Sequence, residues 1–247
     1  MTLRIVYEPA GRAAEYSALA ANLYAGCDHG CVYCYAPLAT RKSRDVFNVP
    51  QPRANVLSKL IDDAEELEAT NEKRSILLSF TCDPYQKIDE RYKLTRGALS
   101  ILLSHGLNVT ILTKGGARSE RDFDILAQYP DLVTYAATLV FTDEAQRRVY
   151  EPGTAAPTAE RITSLKRAHD IGLKTWVSIE PVFDPIQSLE LIQQTHEFVD
   201  LFKVGTLNYR DEAKLVDWGK FGHDAVTLLE SLGNEYYIKQ DLKRYIV

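Results

Sequence analysis

Apolar residues in this chain gather into short unbroken runs, separated by stretches that carry helical periodicity. Ile76-Leu-Leu-Ser-Phe-Thr81, Leu107-Asn-Val-Thr-Ile-Leu-Thr113, Leu132 to Val140, Lys174-Thr-Trp-Val-Ser-Ile-Glu180 and Val199-Asp-Leu-Phe-Lys-Val-Gly205 read as strands buried on both faces. Asn22-Leu23-Tyr24 supplies the first of six such strands. Leu3 to Tyr7 reads as an extended lead-in, and Glu235 to Lys239 as a short final strand. Pro50 and Pro52 open a helix with Val56, Leu57, Leu60, Ile61, Ala64 and Leu67 on one face, ending near Thr70-Asn71. Thr95 is the expected cap of a helix carrying Ala98, Leu99, Leu102 and Leu103, closed by Gly106. Ser119 and Asp122 begin a short helix through Leu126, Asp143 to Tyr150 is polar and helical, and Thr158 starts a helix that ends at Gly172. Ser188 to Phe198 and Asp224 to Leu232 complete the set.

His105-Gly106-Leu107 and Ile171-Gly172-Leu173 each hand a helix directly to a strand, as in a repeating βα unit. Six alternations of strand and helix predict an α/β protein with a parallel sheet, most economically a partial (β/α)6 TIM-type barrel; a doubly wound open sheet is the alternative. No linker rich in Gly, Pro or Ser interrupts the pattern. One domain over residues 1–247 is therefore expected, with its core at about 20–210 and a terminal helix and strand in 211–247.

Three of the four cysteines fall within eight residues, in Asn22-Leu-Tyr-Ala-Gly-Cys27-Asp-His-Gly-Cys31-Val-Tyr-Cys34-Tyr35-Ala-Pro37. The Cys-x3-Cys-x2-Cys spacing, with Gly26 and Gly30 allowing a tight fold, suits three thiolates that share an iron–sulfur cluster and leave one iron open. A zinc knot completed by His29 or Cys82 is the competing occupant. Three clustered cysteines cannot all pair with one another, and Met1 to Glu8 carries charge where a signal peptide has an apolar region. A disulfide framework is disfavoured, and a cytoplasmic protein is expected.

The chain has 247 residues, 45% of them hydrophobic, enough for a large core. No apolar run approaches the roughly 18 residues of a bilayer span. The formal net charge of −5 argues against a broad nucleic-acid footprint. Local basic patches are available at Arg41-Lys42-Ser43-Arg44 and at Lys114 with Arg118 and Arg121.

In a barrel, chemistry collects at the C-terminal ends of the strands. Those ends carry the cysteine loop, then Cys82, Asp83 and Tyr85, then Thr113 and Lys114, then Thr138 and Phe141. Ser178 and Glu180 follow strand five, and Thr206, Asn208 and Tyr209 follow strand six. Position makes Asp83, Ser178, Glu180 and Asn208 candidate cofactor contacts, while Glu151 is expected to pair with an arginine such as Arg161.

Tyr24-x-Gly-Cys27-x-His29-x-Cys31-x-Tyr33-Cys34-Tyr35-Ala36, with Thr81-x-Asp83-Pro84-Tyr85-Gln86, Leu94-Thr95-Arg96, Thr113-Lys114 and Glu151-Pro152, resembles the spore photoproduct lyase-like branch of the radical S-adenosylmethionine (SAM) proteins. The resemblance runs from about Asn22 to Asn208, and the cysteine motif is its most specific part. It implies a [4Fe-4S] cluster on Cys27, Cys31 and Cys34, with SAM on the open iron, and a 5′-deoxyadenosyl radical after one-electron reduction. It further implies Lys114 at the SAM carboxylate, Tyr33 at the adenine, and Tyr33 with Tyr35 in hydrogen-atom or electron return.

The resemblance implies a radical-quenching cysteine at the end of strand two; the aligned position holds Phe80, and this chain has its cysteine two residues later, at Cys82, for which hydrogen donation, a contact to the methionine end of SAM and simple apolar burial all stand open. If the strand persists, both point into one cavity. The resemblance implies a damaged or modified nucleobase as substrate, with a peptide or small molecule as the rival and a non-enzymatic zinc module as the bland alternative. A flavodoxin or ferredoxin-type electron donor is the implied partner.

Overall fold

A computed structural model describes residues 3–246. Ten strands are present among them: β1 Val6–Tyr7, β2 Leu19–Ala21, β3 Tyr24–Ala25, β4 Gln51–Pro52, β5 Ile76–Leu78, β6 Val109–Thr113, β7 Val133–Thr138, β8 Lys174–Ile179, β9 Leu201–Val204 and β10 Glu235–Ile238. Eight form one sheet in the order β1-β2-β5-β6-β7-β8-β9-β10. β1 pairs antiparallel with β2, and every later pair is parallel.

Sequence order and spatial order coincide across the parallel strands. A doubly wound sheet needs a point where the order reverses, and none occurs here. Right-handed crossovers in a monotonic order place the helices on one face and curl the sheet around the other, giving the partial (β/α)6 barrel with β10 as a seventh parallel strand. The helices Val56–Ala69, Leu94–Ser104, Thr158–Asp170, Pro185–Thr195 and Trp218–Leu232 carry the crossovers, with the short segments Gly116–Asp122 and Phe123–Leu126 between β6 and β7.

The core lies between sheet and helices. Leu60, Ala64, Leu99, Leu102, Leu165, Leu191 and Leu229 are buried against strand residues such as Ile76, Leu78, Val109, Ile111, Val177 and Phe202. Val56 and Leu60 are buried as the periodicity predicts, but Ile61 is 41% exposed.

Several boundaries differ from expectation. The first barrel strand is Leu19–Ala21; Asn22 ends it, because its Oδ1 accepts from the amides of Phe80 and Thr81 at 2.9 and 2.7 Å and its Nδ2 donates to Tyr7 Oη at 2.8 Å. Tyr24–Ala25 pairs instead with Gln51–Pro52 in a separate antiparallel ribbon. β5 stops at Leu78, short of Thr81, where the chain turns to meet Asn22.

Thr95 is not a cap. Lys93 precedes the helix, and the Thr95 hydroxyl donates to the Pro84 carbonyl. The helix placed at Ser188 starts at Pro185, capped by Asp184, and the one placed at Asp224 starts at Trp218, capped by Asp217. Among the described residues no helix is long and apolar enough to cross a membrane.

Candidate active site

The cysteine loop has no regular structure of its own and is held from three sides. From the loop after β5, Gln86 Oε1 accepts from the Asp28 amide at 3.0 Å, and the Asp28 carboxylate accepts from the amides of Lys87 and Ile88, both at 3.2 Å. From the end of the helix Glu144–Tyr150, Tyr150 O accepts from Val32 N at 2.9 Å, and from the segment after it Gly153 N donates to His29 O at 3.1 Å. From the segment after Cys34, Arg44 donates to the carbonyls of Cys31 and Cys34 at 3.1 and 3.2 Å.

Two glycines make this packing possible. Gly26 sits at φ +113°, and a Cβ there would lie 2.4 Å from Phe47 O, the carbonyl that accepts from Cys27 N. A Cβ on Gly153 would lie 2.4 Å from Asp28 O and 2.5 Å from His29 O. Glu151-Pro152-Gly153 is thus a backbone clamp on the cysteine loop.

β5, β6 and β7, together with the cysteine loop and the segments that follow β8, β9 and β10, line one cavity of about 560 Å³ at the C-terminal edge of the sheet. Cys27, Cys31, Cys34 and Cys82 line it, as do Tyr33, Tyr35, Asp83, Lys114, Glu180 and Asn208. Cys82 reaches the wall from the loop after β5, so its approach does not depend on a continued strand, and Phe80 lines the cavity too. Ser178 is not brought to this wall. It is fully buried, and its hydroxyl lies 3.4 Å from Tyr16 Oη.

Asp83 lines the cavity, yet its oxygens serve the protein. Oδ1 accepts from Thr113 Oγ1 at 2.7 Å and Tyr85 N at 2.8 Å, while Oδ2 accepts from Lys114 N at 2.7 Å with His29 Nε2 at 3.1 Å. Burial pushes its carboxyl up, but His29 and these donors outweigh burial and hold it well below the usual carboxylate range. Asp83 thereby fixes the main chain at Lys114 relative to the cysteine loop.

Lys114 Nζ stands 5.6 Å from the centre of the Tyr33 ring, which packs on Phe183 at 5.7 Å. The Tyr33 hydroxyl donates to Glu151. Glu151 is ion-paired with Arg161, both almost fully buried, as the sequence suggested. Burial works to raise the Glu151 carboxyl, and the Arg161 and Lys114 cations override it, so the folded protein holds it ionised. Tyr35 is 38% exposed; its hydroxyl donates to Phe80 O at 3.3 Å.

The opposite wall carries a cluster that sequence reasoning assembled only in part. Glu180 accepts from Tyr16 Oη at 2.7 Å and Asn208 Nδ2 at 3.4 Å, and pairs with the buried Lys239. Lys239 Nζ lies 3.4 Å from the centre of the Tyr16 ring. Lys239 stands just past β10, the same station that Glu180 occupies after β8, and that position was the signal available for it. Tyr16 had none, since it lies in an Ala-rich stretch outside the strands.

Burial pushes the Cys31 thiol up to about 12, raises Cys34, raises Cys27 further, and lifts Cys82 to about 11. Thiols of this kind stay protonated unless a cation compensates the thiolate. Three sulfurs sharing one wall, Cys31 buried and Cys27 and Cys34 partly so, are a donor set that suits a multinuclear cationic cluster. The volume lies within the range of small-molecule sites.

Fold and site together define a partial-barrel protein with a three-cysteine loop at the mouth, the arrangement of the radical SAM superfamily. The chain belongs to that superfamily: the family model for it matches residues 21–199. Among curated proteins the chain is 31% identical over 169 residues to the uncharacterized protein Rv2578c of Mycobacterium tuberculosis, covering 65% of this chain and 48% of that one. It is 28% identical over 189 residues to the uncharacterized protein ORF301 of Acidianus two-tailed virus, covering 73% and 61%. The chain thus spans about half to three fifths of the length of these relatives.

Among solved structures, spore photoproduct lyase complexed with dinucleoside spore photoproduct is similar in fold, with TM-score 0.74, 14% identity, and 97% of this chain and 80% of that chain covered. SuiB of Streptococcus suis bound to S-adenosylmethionine has TM-score 0.68 at 14% identity, covering 91% and 51%.

Proposed function

We propose that this protein is a radical SAM enzyme that uses a [4Fe-4S] cluster and SAM to act on a damaged or modified nucleobase. The observation that carries the reading is the gathering of all four cysteines and Lys114 on one cavity at the C-terminal edge of a parallel sheet. Cys27, Cys31 and Cys34 hold the cluster, and Lys114 offers its ammonium to the SAM carboxylate. When bound and reduced, the pair supplies a 5′-deoxyadenosyl radical.

The remaining residues act around that chemistry. Tyr33, kept in place by Glu151 and Phe183, presents its ring to the adenine. Asp83 positions Lys114, and Ser178 acts through Tyr16. Glu180 and Asn208 face the ribose hydroxyls or the substrate. Cys82 keeps its S–H at neutral pH and so has a hydrogen atom to give to a substrate radical, with Tyr35 and Tyr33 as the return path. Four free cysteines fit a reducing cytosol.

The likeness to a lyase complexed with a dinucleoside lesion, over 97% of this chain, supports the nucleobase class. The test is anaerobic reconstitution with iron and sulfide, dithionite reduction with SAM, and chromatography for 5′-deoxyadenosine beside Cys31→Ala. Wild type should form the nucleoside and the variant should not. Addition of lesion-bearing oligonucleotides should raise turnover at least tenfold; an unchanged rate moves the substrate to the peptide or small-molecule class.

A further inference from the structure

A second cavity, of about 390 Å³, lies beside the first. The two share Arg12, Thr206, Asn208 and Asp241 as lining, so a group seated in one lies against whatever is seated in the other. The radical chemistry proposed above leaves the second cavity unused. It is built where the two ends of the chain meet. Arg12 comes from the amino-terminal segment, Lys214 and Trp218 from the stretch after β9, and Asp241, Arg244 and Tyr245 from the residues after β10.

The wall of this cavity is cationic. Arg12, Lys214 and Arg244 line it with Asp241, the one carboxylate on the wall among the described residues. That is a surplus of two positive charges in a chain whose net charge is −5. The protein holds these cations loosely. Arg12 meets Asp241 through Nε at 2.7 Å, which leaves its Nη groups to the Tyr209 hydroxyl at 3.5 Å and to a ligand. Arg244 reaches the same carboxylate only at 3.5 Å, and Lys214 pairs with Asp211 on open surface, both side chains at least 80% exposed. Exposed pairs of this kind contribute little, so an anion of higher charge can displace them. Beside the cations, Tyr245 is 54% exposed, its ring centre 6.4 Å from that of Trp218, and offers a face for a sugar or a base.

We infer that the second cavity binds a phosphate group of the substrate through Arg12, Lys214 and Arg244, while the attached base enters the first cavity past Asn208. This rests on the nucleobase reading above and names a group that its substrate carries. Guanidinium forks match pairs of phosphate oxygens, and a phosphate neutralises the surplus more fully than a single carboxylate does. The inference also reconciles an acidic chain with a nucleotide substrate. A broad nucleic-acid footprint needs many cations, whereas one phosphate needs only the few that this cavity holds. The phosphate has two sources, the monoester of a free nucleotide and the diester beside the target base in an oligonucleotide.

The test is calorimetric titration of the reconstituted protein under anaerobic conditions, which reads binding without turnover. The probes are thymidine, thymidine 5′-monophosphate, the dinucleotide thymidylyl-(3′→5′)-thymidine and inorganic phosphate. Both nucleotides are expected to bind at least tenfold more tightly than thymidine. Lys214→Glu with Arg244→Glu should abolish that advantage and leave the thymidine affinity unchanged. Both side chains are exposed and neither lines the first cavity, so iron content and SAM binding should stay at wild-type values. Lys166→Glu with Lys174→Glu alters the net charge equally, on the helix Thr158–Asp170 and at the first residue of β8, and should keep the advantage.

The tighter of the two nucleotides identifies the source of the phosphate. Equal affinity for thymidine and both nucleotides overturns the inference, and so does the absence of binding by every probe. An advantage that survives in Lys214→Glu with Arg244→Glu, or is lost equally in Lys166→Glu with Lys174→Glu, overturns it as well. Failure of the nucleobase reading gives a different result: inorganic phosphate binds and is lost in Lys214→Glu with Arg244→Glu, but neither nucleotide binds better than phosphate. The phosphate site then stands, and the base it was paired with does not.

Discussion

Single atoms decide whether the cysteine loop can be built. Gly153 has no room for a side chain, because the carbonyls of Asp28 and His29 occupy the space where a Cβ would go. Backbone oxygens cannot swing aside as a flexible side chain can, so Gly153→Ala has to push the loop away. Overpacking of this kind costs about 1–3 kcal/mol. The expected outcome is a lower urea midpoint together with a loss of iron bound per chain after reconstitution; unchanged iron content would show that the clamp does not position the cysteines.

Lys203 makes a prediction in pH. Burial, with Lys239 adding to it and Glu15 opposing, pushes its amine down to about 8. An unfolded lysine titrates near 10.4, so protonation is harder in the folded chain. The contribution of Lys203 to stability is therefore fully present above about pH 10, and is lost as pH falls through about 8. The urea midpoint of the wild type, taken relative to Lys203→Met, should rise between pH 7 and pH 10. A flat difference would mean that the amine is not perturbed.

At the scale of elements, the sequence was legible where pattern and burial coincide. β6, β7 and β8 are apolar runs covered on both faces, β9 is buried on one face and half-buried on the other, and all four stand where the runs predict. The first strand was misplaced because Leu19-Ala20-Ala21 is short and small, while Asn22-Leu23-Tyr24 has the bulk of a strand. What ends the strand is a side-chain amide bridging two loops, a contact that local periodicity does not contain. Caps show the same limit. Periodicity places the start of one helix at Ser188, whereas Asp184 caps it ahead of Pro185, accepting from Ile186 N at 2.8 Å and Gln187 N at 3.4 Å. Asp184→Ala should lower stability by about 1 kcal/mol, the usual worth of such a cap, read as a shift in urea midpoint without a change in slope. A shift below experimental error would mean that packing alone holds that helix.

The whole molecule has to manage a sheet that does not close. Its two edges are β1 and β10, and an open edge invites slippage and association. The structure ties the segment Gly11–Tyr16 to the β10 edge. Arg12 pairs with Asp241 at 2.7 Å, Glu15 Oε1 accepts from Tyr237 Oη at 2.9 Å and Gln240 N at 2.8 Å, and Lys203 Nζ donates to the carbonyls of Glu15 and Tyr16 at 3.0 and 2.9 Å. Lys239 completes the tie by pairing with Glu180 beneath the Tyr16 ring, so one buried ammonium links the seventh strand, the fifth barrel strand and the amino-terminal segment. None of this was legible beforehand, because it joins the two ends of the chain and follows from no local spacing.

Lys239→Met keeps the apolar stem and removes the charge, leaving the partly buried Glu180 with hydroxyl and amide donors alone. Breaking a buried pair in this way costs roughly 3 kcal/mol. The loss should be local as well as global: amide hydrogen exchange in residues 11–16 and 235–241 should quicken well beyond the change in β6 and β7, which lie two or more strands away. Equal acceleration everywhere would show that Lys239 contributes to general stability without latching the open side of the barrel.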